Sequence, residues 1–379
     1  MRKNIARRLL HRQPGLLLLV LLFTLSACAS GSGLFAGGSW QAGALQNQHL
    51  QVLAVDPNHL RDIYAGDAQN GIFVSTDAGA NWKQSSTGLA LPTAVSALSF
   101  DIPGKKLYAA TSTGLYMSSN AAATWSLVAN LPTDSYTALT FDANSPHTVY
   151  VGTMHSGIFK SSDDGEHWTN ISNGSPTHAL TSLLYDPNLK QLWAAFADSV
   201  YRSDDNGAHW HNMSTGISTT AGITTLALGG STLNSTNLIF AGTAHGFYRS
   251  TDTGQHWVQS QLSLVNLHIF AVLLDATQSN VVYIATDIGV LRSQDSGQNW
   301  NQLAAGLPTN QPVVGLVQGN DNNAQLFTAS RGIYFYPGNG GATSPTQIIP
   351  ILVVLSFFGL MYWFFIVRRR NRAIPAMRQ

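Results

Sequence analysis

Six residues have the chemistry of a functional site and fall outside every repeated pattern in this chain: Asp67, Asp198 and Asp287, with His155, His245 and Arg331 on corresponding loops. Two such carboxylates held about 5–10 Å apart across a cleft would serve a glycosidase as its acid and base. The histidines would move protons near neutral pH or ligate a metal. No ligand spacing links them, so neither a metal nor a cofactor is expected. The plainer reading is a loop rim that binds a partner or ligand without reacting with it. Arg202, Arg249 and Arg292 invite a different chemistry, the clamping of a carboxylate by three guanidinium groups as in a sialidase. Each stands one residue before a repeated serine. Equivalent positions of successive repeats radiate around a ring and do not converge. Glu166, the one glutamate, lies inside a repeated turn, so the nucleophile of that reaction has no candidate. No catalytic residue is therefore assigned.

The elements that must position these residues come from a repeat. Ser75-Thr-Asp77-Ala-Gly79-Ala-Asn-Trp82 recurs as Ser161-Ser-Asp163-Asp-Gly165-Glu-His-Trp168 and as Ser203-Asp-Asp205-Asn-Gly207-Ala-His-Trp210. It recurs again as Ser250-Thr-Asp252-Thr-Gly254-Gln-His-Trp257 and Ser293-Gln-Asp295-Ser-Gly297-Gln-Asn-Trp300, with a worn copy at Ser118-Ser-Asn120-Ala-Ala122-Ala-Thr-Trp125. Each copy follows a short Gly-apolar-aromatic strand, such as Gly246-Phe-Tyr-Arg-Ser250. Ahead of that lie an alternating strand ending in an acid (Asp56, Asp101, Asp142, Asp186, Asp275) and a second apolar strand. The tryptophan opens a fourth. Four strands in about 43 residues make one blade of a propeller. The motif glycine supplies a positive φ at the reversal, and the Ser and Asp side chains satisfy the turn's backbone locally. Replacement of that glycine by Ala122 predicts a looser turn in the second copy.

Third strands begin at Gly71, Gly114, Gly157, Ser199, Gly246, Gly289 and Gly332, which gives seven blades. The last lacks its tryptophan strand, while Gly38-Ser-Trp40 stands ahead of the first blade without a partner. The expected fold is all-β: a seven-bladed β-propeller of four-stranded blades over 38–337, closed by this N-terminal strand so that no sheet edge is left open.

These motifs resemble the Asp-box, or BNR, repeat family over the whole of roughly 38–337. Its members include sialidases, xyloglucanase-like glycosidases, sortilin-type receptors and the photosystem II assembly and stability factor propellers. The resemblance implies the propeller fold and a site on the face away from the Asp-boxes. Short loops and a lipobox are most similar to the photosystem assembly-factor group. The family's glycosidases carry long loop insertions, which these blades lack. Partner recognition in the assembly-factor group is attributed to a basic patch, and here this chain departs from it.

The formal net charge of +1 hides three blocks. Arg2, Lys3, Arg7, Arg8 and Arg12 make the first 28 residues basic, and Arg368, Arg369, Arg370, Arg372 and Arg378 make the C-terminus basic. Between them ten Lys and Arg face all nineteen acids, a net of −9. A body of that sign is not a nucleic-acid binder. The first block, with the apolar run Leu16–Leu25 and Leu25-Ser-Ala-Cys28, has the anatomy of a secretory signal with a lipobox. Cys28 is the only cysteine, and lipidation there is expected. Residues 29–37 read as a tether and 338–347 as a linker. Ile348–Val367 is uncharged and, at 1.5 Å per residue, about 30 Å long as a helix, enough to span a bilayer. Arg368–Arg372 after it places the tail 368–379 in the cytoplasm by the positive-inside rule. The expectation is a monomeric, surface-tethered, extracytoplasmic module with a protein partner at the membrane. A carbohydrate-active or carbohydrate-binding propeller is the alternative.

Overall fold

The computed structural model describes residues 39–336, apart from 177, 230–236, 261–265, 304, 310 and 320–325. The expected signal segment with Cys28, the tether, the linker, the span 348–367 and the basic tail lie outside the described residues. Among those described, no helix is long and apolar enough to cross a membrane.

Among the described residues, twenty-eight short strands form seven antiparallel four-stranded sheets. Blade 1 runs Leu50–Val55, Ile63–Asp67, Ile72–Ser75 and Lys83–Gln84. Blades 2 to 6 repeat this order over Val95–Leu127, Tyr136–Asn170, Leu180–Asn212, Ile223–Gln259 and Ile269–Gln302. Blade 7 has Gly315–Gln318, Leu326–Ser330 and Gly332–Tyr336. Its fourth strand is Gln41–Ala42, paired with Phe335 and Tyr334, so the N-terminal segment closes the ring as expected. First strands of successive blades touch one another, and the seventh touches the first; they ring the axis. Second strands are buried, as in Ile63–Asp67 and Val282–Thr286, except for the first residue, Gln191 or Leu238, in blades 4 and 5. Fourth strands are two residues long and exposed. Such brevity and polarity suit outer edges that must not recruit another chain.

The motif turn works as its residues require. Ser75 Oγ accepts from Gly79 N–H at 2.8 Å and donates to Asp77 Oδ1 at 2.8 Å, and Asp77 Oδ1 accepts from Asn81 N–H at 2.8 Å. Gly79 sits at φ +86, and the preceding Ala78 is also left-handed, at +60. The worn copy corrects one expectation. Its turn is not looser: Ser118 Oγ still accepts from Ala122 N–H at 3.0 Å, and Asn120 takes the aspartate's place, accepting from Thr124 N–H. Ala122 adopts φ +63 and is fully buried. The cost appears as left-handed strain, about 1 kcal/mol for an L-residue, because the side-chain hydrogen bonds hold the geometry whatever occupies the glycine position.

The tryptophans divide into two sets. Trp125, Trp210, Trp257 and Trp40 are buried and donate Nε1–H to a carbonyl of the preceding blade, at Ser85, Ile171, Met213 and Leu303. Trp82, Trp168 and Trp300 are half-buried and donate to their own turn, at Gly79, Gly165 and Gly297. Only the first set ties one blade to the next by hydrogen bonding.

The loop face as a candidate binding site

Backbone hydrogen bonds sort the connections into two faces. The turns between second and third strands bond to the segments entering the first strands: Ala68 N–H to His49 O, Ser112 N–H to Ala94 O, Met154 N–H to Ser135 O and Ala244 N–H to Gly222 O. These share one face. The motif turns bond instead to the turns between first and second strands, as in Ala78 N–H to Arg61 O and Asp164 N–H to His147 O, and share the other. All six sequence-picked residues occupy the first, the loop face.

There they fare differently. Asp67 is fully buried and accepts from the backbone N–H of His49, Gln69 and Asn70 at 2.7–2.9 Å. Thr111, Thr153, Thr243, Thr286 and Ser330 hold the equivalent place at the end of the second strand. Four of them, Thr111, Thr153, Thr243 and Thr286, donate to the carbonyl of the glycine ahead. Asp67 is thus a variant of a repeated loop staple, which sequence reading missed because the residue type changes while the position recurs. Its carboxylate is not presented to a ligand.

His155 is exposed, and its Nδ1 lies 3.1 Å from Asp134 Oδ1. Asp134, which the sequence did not single out, has a side chain only 4% exposed. Burial alone would raise its pKa. The hydrogen bonds from Ser156, His155 and the backbone of Ser135 and Ser156 outweigh burial and bring it down to about 2. Asp198 pairs with His178 Nε2 at 3.0 Å and accepts from Ser199 Oγ at 2.7 Å. The Ser199 hydroxyl first, and His178 after it, lower the Asp198 pKa. His245 is exposed, with Nδ1 3.2 Å from Ala221 O. Asp287 and Arg331 are exposed and form no hydrogen bond or ion pair through their side chains among the described residues.

Four of the five loop-face histidines, His155, His178, His245 and His268, therefore belong to blades 3 to 6, with His49 on the opposite arc. Blades 1 and 2 present amide and hydroxyl groups there instead, including Gln69, Asn70, Ser112 and Thr113. Met154 and Ile288 add apolar tips on the histidine side, 40% and 57% exposed. Among the described residues no two loop-face carboxylates stand free together as a glycosidase's pair would, since Asp67, Asp134 and Asp198 are all engaged locally.

On the other face, the acids at the ends of the first strands cap their own turns; Asp142 Oδ1, for instance, accepts from Asn144 and Ser145 N–H. Asp163, Glu166 and His167 bring potential ligand atoms within 4.8 Å of one another, as do Asp56, His59 and Asp62. Asp163 and Asp56 in these groups are the turn-capping acids. The three arginines do not converge. Arg202 bonds Asp204 at 3.0 Å and lies over Trp193, and Arg292 lies over Tyr283. Each arginine pairs across strands with the aromatic of its own blade, Arg249 with Phe240.

No family model matches the sequence, and no curated protein does. Among solved structures the chain is similar to YCF48 from Cyanidioschyzon merolae, at 13% identity and TM-score 0.60, over 80% of this chain and 100% of that one. A structure of YCF48 bound to D1 peptide matches at 14% and 0.62, over 82% and 98%. The shared feature is the propeller. A glycoside hydrolase family 74 xyloglucanase from Xanthomonas campestris matches at 16% and 0.65, over 82% of this chain, which spans 55% of that enzyme. At such identities the likenesses establish the seven-bladed, four-stranded propeller and leave the chemistry to the site.

Proposed function

We propose that this chain is a membrane-tethered, extracytoplasmic propeller that binds a protein partner through its loop face and catalyses no reaction on it. The observation that carries the reading is the state of the loop-face carboxylates. Asp67, Asp134 and Asp198 are held by hydrogen bonds within the fold, while exposed histidines and apolar tips gather on blades 3 to 6. Such a surface suits contact more than acid–base chemistry. A structural neighbour, YCF48, has been captured with a D1 peptide, and the motif turns resemble the Asp-box repeats of the photosystem assembly-factor propellers. In this reading Cys28 carries lipid, 348–367 spans the membrane, and the net −9 body faces outward.

A photo-crosslinking residue at Met154 or Ile288, in native membranes, is expected to capture one integral-membrane protein. The same residue at Leu189, on the opposite face, is expected to capture none. Equal capture from both faces, or background proteins alone, would overturn the reading. The xyloglucanase likeness favours a second reading, a carbohydrate-active propeller. It requires glycan hydrolysis that Asp198→Asn abolishes.

A further inference from the structure

We propose that the sixth blade carries a recognition site for a cationic side chain, a guanidinium before an ammonium, formed by Phe270, His268 and Asp287 at the mouth of the channel. The inference deepens the partner-binding reading and rests on it for the identity of the ligand as part of a protein.

The first strands of blades 1 to 6 all carry a β-bulge at the same place, where pairing with the second strand skips one residue. The skipped residues are Gln51, Ser96, Thr137, Thr181 and Thr224 in the first five blades. All are polar and at least partly exposed. In the sixth the residue is Phe270, also partly exposed. A bulge re-aims its extra side chain and recurs beside functional sites, so an aromatic at this one position of a hydroxyl and amide ring is a departure that the fold does not require. The Phe270 ring stacks on His268, centroids 4.0 Å apart and planes at 17°. Thr224 Oγ1 donates to Ile269 O between the two rings' residues at 2.5 Å, fixing the strand there.

Register brings in the charge. Ile269 pairs with Thr286, the last residue of the neighbouring strand, and Asp287, the turn residue that follows, acts electrostatically on His268. Asp287 is exposed and, unlike Asp67, Asp134 and Asp198, accepts no hydrogen bond among the described residues. Burial lowers the His268 pKa, with Asp287 opposing and His245 adding to the shift; this favours the neutral imidazole, which does not repel a cation. An aromatic ring beside an unpaired carboxylate attracts a cation through both the ring face and the carboxylate. A planar guanidinium uses both better than an ammonium does. Ile288, 57% exposed beside Asp287, offers an apolar surface to the methylene stem. The acidic body adds attraction of the same sign.

The test uses the full-length protein in detergent micelles and saturation-transfer NMR with two probes, N-acetyl-arginine N-methylamide and its neutral isostere N-acetyl-citrulline N-methylamide. The arginine probe is expected to receive at least about five-fold more saturation than the citrulline probe. Phe270→Thr, which restores the residue type of blades 3 to 5, and the isosteric Asp287→Asn should each cut that signal about three-fold or more. Asp204→Asn on the opposite face should leave it unchanged. Equal saturation of both probes, or an arginine signal indifferent to Phe270→Thr and Asp287→Asn in variants that melt as the parent does, overturns the site. The two readings fail separately. A crosslinked membrane partner without discrimination between probes removes this site alone. Discrimination without any crosslinked partner supports the site and removes the membrane-partner reading.

Discussion

Individual side chains matter here mainly through the hydrogen bonds they make to backbone, and their titration follows from that. In the motif turn, the backbone N–H of Asn81, then the Asn81 side chain and Ser75, hold the Asp77 carboxyl down to about 2. The backbone and side chain of His256, with Ser250, outweigh burial to do the same for Asp252, also to about 2. Asp163 and Asp205 lie lower still for the same cause. An unfolded aspartate titrates near 3.9. A folded value below it contributes stability that is complete above that pH and lost as pH falls through the folded value. The denaturant midpoint should therefore drop steeply between about pH 4 and 2. Asp77→Asn should fold, since Asn120 already fills this role in blade 2. It should make the acid drop shallower, and urea titrations at pH 7, 4, 3 and 2 measure both effects.

At the scale of the element, the turns are made unequal by what packs against them. A Cβ added at Gly254 would meet the buried Trp193 ring at 2.5 Å, on top of a φ of +76. Gly174 has φ +84 and open space around it. Left-handed strain costs about 1 kcal/mol and overpacking about 1–3 more. Gly174→Ala should thus cost about 1 kcal/mol and Gly254→Ala about 3 kcal/mol in equilibrium unfolding. Comparable losses would mean that the Trp193 ring moves aside freely. The bulge at the start of the first strands belongs to this scale too, because it sets which residue of each blade is left out of the pairing with the second strand.

The whole molecule depends on a closure between residues nearly three hundred positions apart. Trp40 is 3% exposed, lies against Tyr336, and donates Nε1–H to Leu303 O in blade 6. Trp82 occupies the corresponding place in blade 1 but is half-buried and bonded only to its own turn. Trp40→Ala should cost about 3–5 kcal/mol, the range for truncating a buried tryptophan or phenylalanine. Trp82→Ala should cost clearly less. Limited proteolysis should then cut the Trp40→Ala variant first in blade 7, where the closing strand has been weakened. Equal losses in the two variants would place the closure elsewhere.

The repeat, the seven blades, the closing strand and the turn-capping roles of Ser and Asp were legible in the sequence, because each rests on local chemistry recurring at a fixed period. The face shared by Asp67, His155, Asp198, His245, Asp287 and Arg331 was legible for the same reason. What each of those residues does there was not. Asp67 proved a buried staple because its position repeats while its identity changes. Asp134 was overlooked because its histidine partner comes from a loop twenty-one residues away. Nothing in the sequence pattern sets Phe270 apart; the bulge shows that it takes the place of a threonine. Period and residue type determine the blades. Which side chains are satisfied within the fold and which stay open to a partner is decided only when separate loops meet in space, since hydrogen-bond partners and burial are properties of the assembled ring.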